Sequence, residues 1–250
     1  MPRLGTRKLH YLLDSTFRAQ GLKIGRDKLF TFLRMDHMLI RPLKNYTKTT
    51  DSTHWLRKYP NLVKNKSFEK AEQLWVSDIT YIKTKQGNSY LSLVTDAVSR
   101  KIMGYHLSND LKTEGVVQAL KMAIKNRTYK GELIHHSDRG IQYCSFEYQS
   151  LLKKNHILSS MTDGYDCYQN ALAERVNGIL KMEFLTDQYQ DVEQTDKVIT
   201  QSIEIYNNKR PHLSLKMETP AVSHLKLSPT HKKTTRTLKG SCGFLASSKD

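Results

Sequence analysis

The spacing of apolar residues changes twice along the chain, and each change marks a different kind of element. In the first segment, Leu9, Leu12, Leu13 and Phe17 recur at helical spacing, "QGLKIG" interrupts them, and Leu29, Phe30 and Leu33 resume the pattern. Two short amphipathic helices across a glycine-containing turn predict a helix-turn-helix-like segment over residues 1–43. A plain helical hairpin is the other reading. Periodicity then fades, and residues 44–69, polar and basic, are expected to form a linker that lies along a polyanion. From residue 74 the spacing becomes that of strands: 74–84, 89–98 and 100–108, with "KQGN" as the turn between the first two, so these three should form an antiparallel meander.

Helical and strand patterns alternate afterwards. A helix is predicted near 112–127, a short strand "GELIHHSD" ending at Asp138, a helix near 145–155 and the strand "ILSSM". Two further helices follow, "QNALAERVNGILKMEFL" and "VEQTDKVITQSIEIYNN", the second stopped before Pro211. This order implies a mixed α/β domain over 70–222, with helices packed on the sheet. Residues 223–250 are basic and poor in apolar residues, and are expected to be a disordered tail.

Charge sharpens this picture because it is segregated. Residues 1–66 hold 15 Lys/Arg against 4 Asp/Glu, residues 67–222 hold 19 of each, and residues 223–250 hold 6 against 1. A neutral middle between basic ends fits a folded core with arms for a phosphate polymer, since phosphate neutralisation releases counterions and gives sequence-independent affinity. Arg26, Lys28 and Arg34 would place such a surface on the second predicted helix. No apolar run approaches the roughly 20 residues of a membrane span, and "MPRLGTRKLH" lacks the apolar centre of a signal peptide. Three widely spaced cysteines, Cys144, Cys167 and Cys242, suit reduced thiols and match no structural zinc spacing. The expected location is therefore a reducing cytoplasm.

Asp78 is the misfit in this pattern, a carboxylate inside the apolar strand "LWVSDITYIKT". A buried carboxylate has to pair, take up a proton or bind a cation. Asp138, at the end of the fourth strand, could open onto the same face if the two strands are neighbours, and two such oxygen donors suit magnesium or manganese. A third ligand could come from Asp163, Asp166, Glu174 or Glu183. Asp163 and Asp166 flank Gly164 in what looks like a loop, and read better as turn and cap residues. Glu174 lies in a helix with Gly178 and Lys181 at i+4 and i+7, a face that offers a ligand, close approach and a cation, or that is simply solvated.

Four fragments in order, "WVSDITYI", "HHSDRGIQY", "NALAERVNGILKMEF" and "YNNKRPHLSL", resemble the catalytic region of bacterial transposases of the insertion-sequence-three family. That family sits within the retroviral-integrase-like superfamily with an RNase H-like fold. The 35 residues between Asp138 and Glu174 match the spacing of its acidic triad. The resemblance covers about residues 70–222, and the N-terminal segment resembles the family's accessory helix-turn-helix.

The resemblance implies a DNA transposase that cuts element ends and joins them to new DNA, with Asp78, Asp138 and Glu174 holding two magnesium ions, which manganese can replace. It implies that one ion activates water or a DNA 3′-hydroxyl while the other stabilises the leaving oxygen. Lys181 and Arg175 are assigned to DNA, and His136 to support of the ligands from behind. Implied partners are double-stranded DNA, both terminal inverted repeats and target, further copies of the chain, and the product of the upstream reading frame. Two departures stand out. Gln169 replaces an acidic residue usual before "NA", and the chain starts inside the accessory region, as a downstream frame or a shortened copy would. The alternative function is accordingly a non-catalytic or truncated DNA-binding regulator of transposition.

Overall fold

The computed structural model describes residues 1, 3–40, 54–163, 170–186 and 189–228. Its centre is a five-stranded sheet in the order β3-β2-β1-β4-β5. Strands β1 (Leu74–Thr84), β2 (Gly87–Asp96) and β3 (Ile102–Ser108) form the expected antiparallel meander. Strands β4 (Leu133–Ser137) and β5 (Ile157–Met161) continue the sheet in parallel with β1. Parallel neighbours need crossovers, and helices supply them: α3 (Thr113–Lys125) before β4, then α4 (Ile141–Cys144) and α5 (Phe146–Lys154) before β5.

Successive strand residues point to opposite faces, so the sheet has two cores. On one face Trp75, Val94, Met103 and Leu133 pack with Val117 and Leu120 of α3 and Tyr148 and Leu152 of α5. On the other, Ile82, Leu91 and Leu93 pack under α6 (Ala171–Ile179), a π-helical stretch (Leu180–Phe184) and α7 (Val192–Asn208) through Val176, Leu180, Ile199 and Tyr206. Residues at even positions of β1, Asp78 among them, therefore face α6. Gly104 lets α3 close on β3, because a Cβ there would stand 2.2 Å from the Ala119 carbonyl oxygen.

Three expectations are corrected. The predicted linker is described from His54 onward and does not stand away from the core: Leu56 and Tyr59 pack on the first cluster, and Leu62, Val63 and Phe68 on a third beside Leu74 and Ile134. Its apolar residues are sparse and irregular, which hid them among the lysines. The tail does not begin at residue 223. Thr219, whose Oγ1 accepts from Val222 N, starts α8 (Pro220–Leu227), and His224 is buried against Glu72. The helix expected as one run over "QNALAERVNGILKMEFL" switches to π-helix at Leu180, which shifts every later residue around the axis. The remaining parts of the linker and tail, with Asp166, Cys167, Gln169 and Cys242, lie outside the described residues.

Helices α1 (Thr6–Ala19) and α2 (Arg26–Met35) form the predicted pair, joined through Gly21 at φ 68°. His10 Nε2 lies 2.9 Å from the Ile24 carbonyl oxygen and closes that turn.

Candidate active site

The parallel register builds the site. Leu74, Trp75 and Val76 stand opposite Ile134, His135 and His136, a constant offset of 60, and the same offset carried forward puts Asp78 beside Asp138. Strand β4 ends at Ser137 while β1 runs on to Thr84, so the pair sits where the parallel strands open at their carboxyl ends. Asp78 and Asp138 line one narrow cavity of about 10 Å³ with Gly140, Gln142 and Tyr143. That is room for a single water-sized or ion-sized particle.

Three carboxylates, Glu72 and Asp96 buried and Asp78 half-buried, allow a comparison by hydrogen-bond donors. Glu72 accepts from Thr128 N and Oγ1, from Tyr129 N and from His224, and these donors hold its pKa below the usual range despite burial. Asp96 accepts from Glu72 N (2.6 Å), Ser99 N (2.7 Å) and Ser99 Oγ (2.7 Å), although burial still raises its pKa. Both are anchored into turns by several donors. Asp78 accepts from Asn177 Nδ2 (2.7 Å) and from the Ile79 backbone, and its proton affinity climbs to about 7. Burial is the largest cause, repulsion by Asp138 the next, with a smaller contribution from Glu174. A carboxylate this under-solvated, facing another, is a site for a cation or a shared proton.

Its surroundings are arranged around it. Tyr143 is fully buried, its hydroxyl has no hydrogen-bond partner among the described residues, and burial first, then Tyr148, Asp78 and Asp138, push its pKa up. Asp138 Oδ1 accepts from Gly140 N (3.0 Å). His135, kept neutral at about 3 by burial, lies 2.7 Å from Ser77 Oγ and 2.9 Å from Tyr148 Oη on the far side of β1. His136, the histidine expected behind the ligands, bonds through Nδ1 to Ser160 Oγ of β5 (2.9 Å). Standing opposite Val76 and two residues before Asp138, it shares their face of the sheet, while His135 faces the other side.

Helix α6 is moored over this spot by two asparagines. Asn170 Nδ2 donates to the Ser77 carbonyl (3.1 Å), and Asn177 donates to Asp78 one residue further along β1. Glu174 lies between them, exposed, with its pKa raised by partial burial and by Asp138. Among the described residues no group of three His, Cys, Asp or Glu side chains is close enough to hold a metal ion, so Asp78 and Asp138 come together while Glu174 is coupled to them through charge. Lys181 stands 4.1 Å above the Tyr81 ring and feels Asp78, although burial lowers its pKa. Asn177 was missed in the sequence, where its position three residues after Glu174 was the available signal.

The other predicted DNA residues are placed elsewhere. Arg26 pairs with Asp27 (2.9 Å), Lys28 lies over Phe32 (5.7 Å) and Arg34 over Phe30 (4.9 Å), all on the exposed surface of α2. Arg175 is exposed on α6 and turns away from the carboxylate pair into a basic cavity with Lys8, Arg100 and Arg210. Among the described residues no helix is long and apolar enough to cross a membrane.

Comparison with known proteins agrees with this geometry. Residues 69–167 match a family described as Integrase core domain, and residues 155–220 match a second profile of the same description. The Insertion element IS600 uncharacterized 31 kDa protein of Shigella sonnei is 33% identical over 221 residues, 87% of this chain and 79% of that protein. Transposase InsF for insertion sequence IS3A of Escherichia coli (strain K12) is 32% identical over 172 residues, 68% of this chain. The matched region spans 60% of InsF. A chain of the simian T-cell lymphotropic virus intasome, solved in complex with PP2A regulatory subunit B56 gamma, shares the fold with a TM-score of 0.55 at 17% identity, over 88% of this chain and 74% of that one. With an integrase core across its sheet and relatives this similar over most of its length, the chain belongs to the insertion-sequence-three family of transposases, a family of DNA transposition and integration proteins.

Proposed function

We propose that the chain is a divalent-metal-dependent DNA strand transferase that cuts the ends of an insertion element and joins them to target DNA. The observation that supports this most is the facing of Asp78, an under-solvated carboxylate, and Asp138 at the open end of parallel strands. Their all-oxygen donor set fits magnesium, or manganese in its place, and Tyr143 lines the same cavity. Asp78, Asp138 and Glu174 are the residues that would hold two ions. When bound, such ions supply Lewis-acid activation of the attacking oxygen and neutralise charge on the leaving 3′-oxygen.

The chain's own residues supply orientation and DNA contact. Asn177 fixes the rotation of the Asp78 carboxylate, and Asn170 fixes the height of α6 above β1. Lys181, over the Tyr81 ring and within reach of the Asp78 charge, would neutralise a phosphate at the reacting end, while Arg26, Lys28 and Arg34 on α2 would contact the duplex farther out. Juxtaposing two element ends calls for further copies of the chain, and recognition of the inverted repeats calls for the upstream-frame product. The functional location is bacterial DNA, in the cytoplasm.

The test is incubation of labelled element-end duplex with the purified chain and magnesium or manganese, alone and with the upstream-frame product, beside Asp138→Asn. Nicking or joining by wild type only is the expected result. If wild type and variant both bind DNA and neither nicks nor joins under either condition, catalysis is excluded. A DNA-binding regulator is then the reading that stands, and the exposed position of Glu174 is what favours it.

A further inference from the structure

A second concentration of charge lies on the α6 side of the sheet, apart from the carboxylate pair. A cavity of about 500 Å³ is bounded by Lys8 of α1, Arg100 of the β2–β3 turn, Arg175 of α6, Glu183 of the π-helical stretch, and the segment 210–214. Four cationic side chains and one carboxylate thus line it. Both Glu183 oxygens are taken: Arg210 Nε donates to Oε2 and its Nη2 to Oε1, each at 2.7 Å, and Lys8 Nζ donates to Oε1 at 2.9 Å. Arg210 is 2% exposed, so this triad is a fixed wall.

Arg100 and Arg175 form no ion pair among the described residues. Arg100 uses its guanidinium on the Ala97 carbonyl, and Arg175 reaches into the cavity from the exposed face of α6. His212 in the same wall is kept neutral, its pKa driven down to about 4 by burial and by Arg210, Arg100, Lys8 and Arg175 together. Cations crowded into a partly buried space raise one another's energy, and an anion relieves them. Guanidinium groups bind phosphate with two parallel hydrogen bonds, which singles out phosphate chemistry. The space far exceeds one phosphate, and Leu172 and Leu213 give it apolar patches that a deoxyribose can cover.

We propose that this cavity is a second DNA-contact site, which takes the phosphodiester backbone of one strand between Arg100 and Arg175 with a sugar against Leu172 and Leu213. The inference rests on the reading of the chain as a DNA-acting protein. It adds a path for the strand, because Arg175 follows Glu174 directly and lies about 100° from it around the helix. Helix α6 then carries one residue toward the carboxylate pair and the next toward the backbone of the bound DNA.

The experiment measures binding alone, without divalent ions, so it is independent of nicking and joining. A fluorescein-labelled duplex is titrated with the full chain by anisotropy across 50–200 mM NaCl, for wild type, Arg175→Gln, Arg175→Glu and, as a control on the opposite layer, Lys121→Gln. Arg175→Gln should lower affinity roughly 3- to 10-fold and make the slope of log K against log salt shallower by about 1. Arg175→Glu should lose more, and Lys121→Gln should match wild type. Equal slopes for wild type and both Arg175 variants would overturn the site, whatever the joining assay shows. Calorimetric binding of pyrophosphate that is lost in Arg175→Gln, together with unchanged DNA slopes, would also overturn it, because the cavity would then serve a small free anion. Binding loss confined to the Arg175 variants supports it even if wild type joins nothing.

Discussion

Asp78→Asn should stabilise the protein above neutral pH in the absence of divalent ions, although it removes a residue from the proposed active site. The folded chain raises the Asp78 pKa from 3.8 to about 7. An acid whose folded pKa is raised holds its proton longer when folded, so stability falls as pH rises from about 4 to about 7 and stays low beyond. The difference of about 3 units corresponds to an upper bound of about 4 kcal/mol at pH 8, at about 1.4 kcal/mol per unit. If half is realised, the gain is about 2 kcal/mol, or roughly 4–8 °C in melting temperature for a chain of this size. Asparagine can still accept from Asn177, so the neighbouring hydrogen bond survives. The assay is thermal melting by circular dichroism of EDTA-dialysed wild type and Asp78→Asn from pH 4 to pH 8, repeated with magnesium. The variant's advantage should grow across that range. Magnesium at about 100 times its Kd should raise wild type by about 3 kcal/mol and leave the variant nearly unmoved. A variant that melts below wild type at pH 8, or an equal magnesium shift in both, would refute the account of Asp78 as a carboxylate waiting for a cation.

Two further outcomes test the scaffold. Arg210→Ala leaves Glu183 half-buried with only Lys8 as partner and should cost about 3–5 kcal/mol, measured by urea unfolding, with much of the loss recovered in the Glu183→Gln/Arg210→Met double variant. Gly104→Ala drives a methyl group into the Ala119 carbonyl and should cost about 1–3 kcal/mol, read from the same unfolding curves.

Legibility in the sequence followed local regularity. The meander could be read because β1 and β2 are long apolar runs around a turn signal, and Asp78 stood out because it broke one of them. The pairing of β1 with β4 could not be read, since a parallel register across a crossover leaves no local trace. The offset of 60 emerges only from the folded sheet. Glu72 and Asp96 look as conspicuous in sequence as Asp78, and only their donors mark them as structural. Helix α8 had its start signal in Thr219-Pro220, but its short apolar stretch ran into a basic tail. The basic cavity gathers residues from five separate places in the chain, none of which is unusual alone.

Glu174 is where spacing and geometry place different demands. The spacing to Asp138 assigns it to the triad by resemblance, while the fold holds it on an exposed face of α6. Repulsion explains why a third carboxylate stays toward water: Asp78 and Asp138 already raise each other's cost, and Asp138 raises the pKa of Glu174 as well. Asn170 and Asn177 work against that repulsion by tying both ends of the two-turn stretch that carries Glu174 to adjacent residues of β1. A cation held between the strand carboxylates would reverse the sign of the local field, and the same tethers would then favour Glu174 turning inward. Asn177→Ala therefore should weaken magnesium stabilisation of the wild-type fold without abolishing it, whereas Asp78→Asn should remove it. Equal magnesium responses in wild type and Asn177→Ala would show that the tether does not position the acidic group.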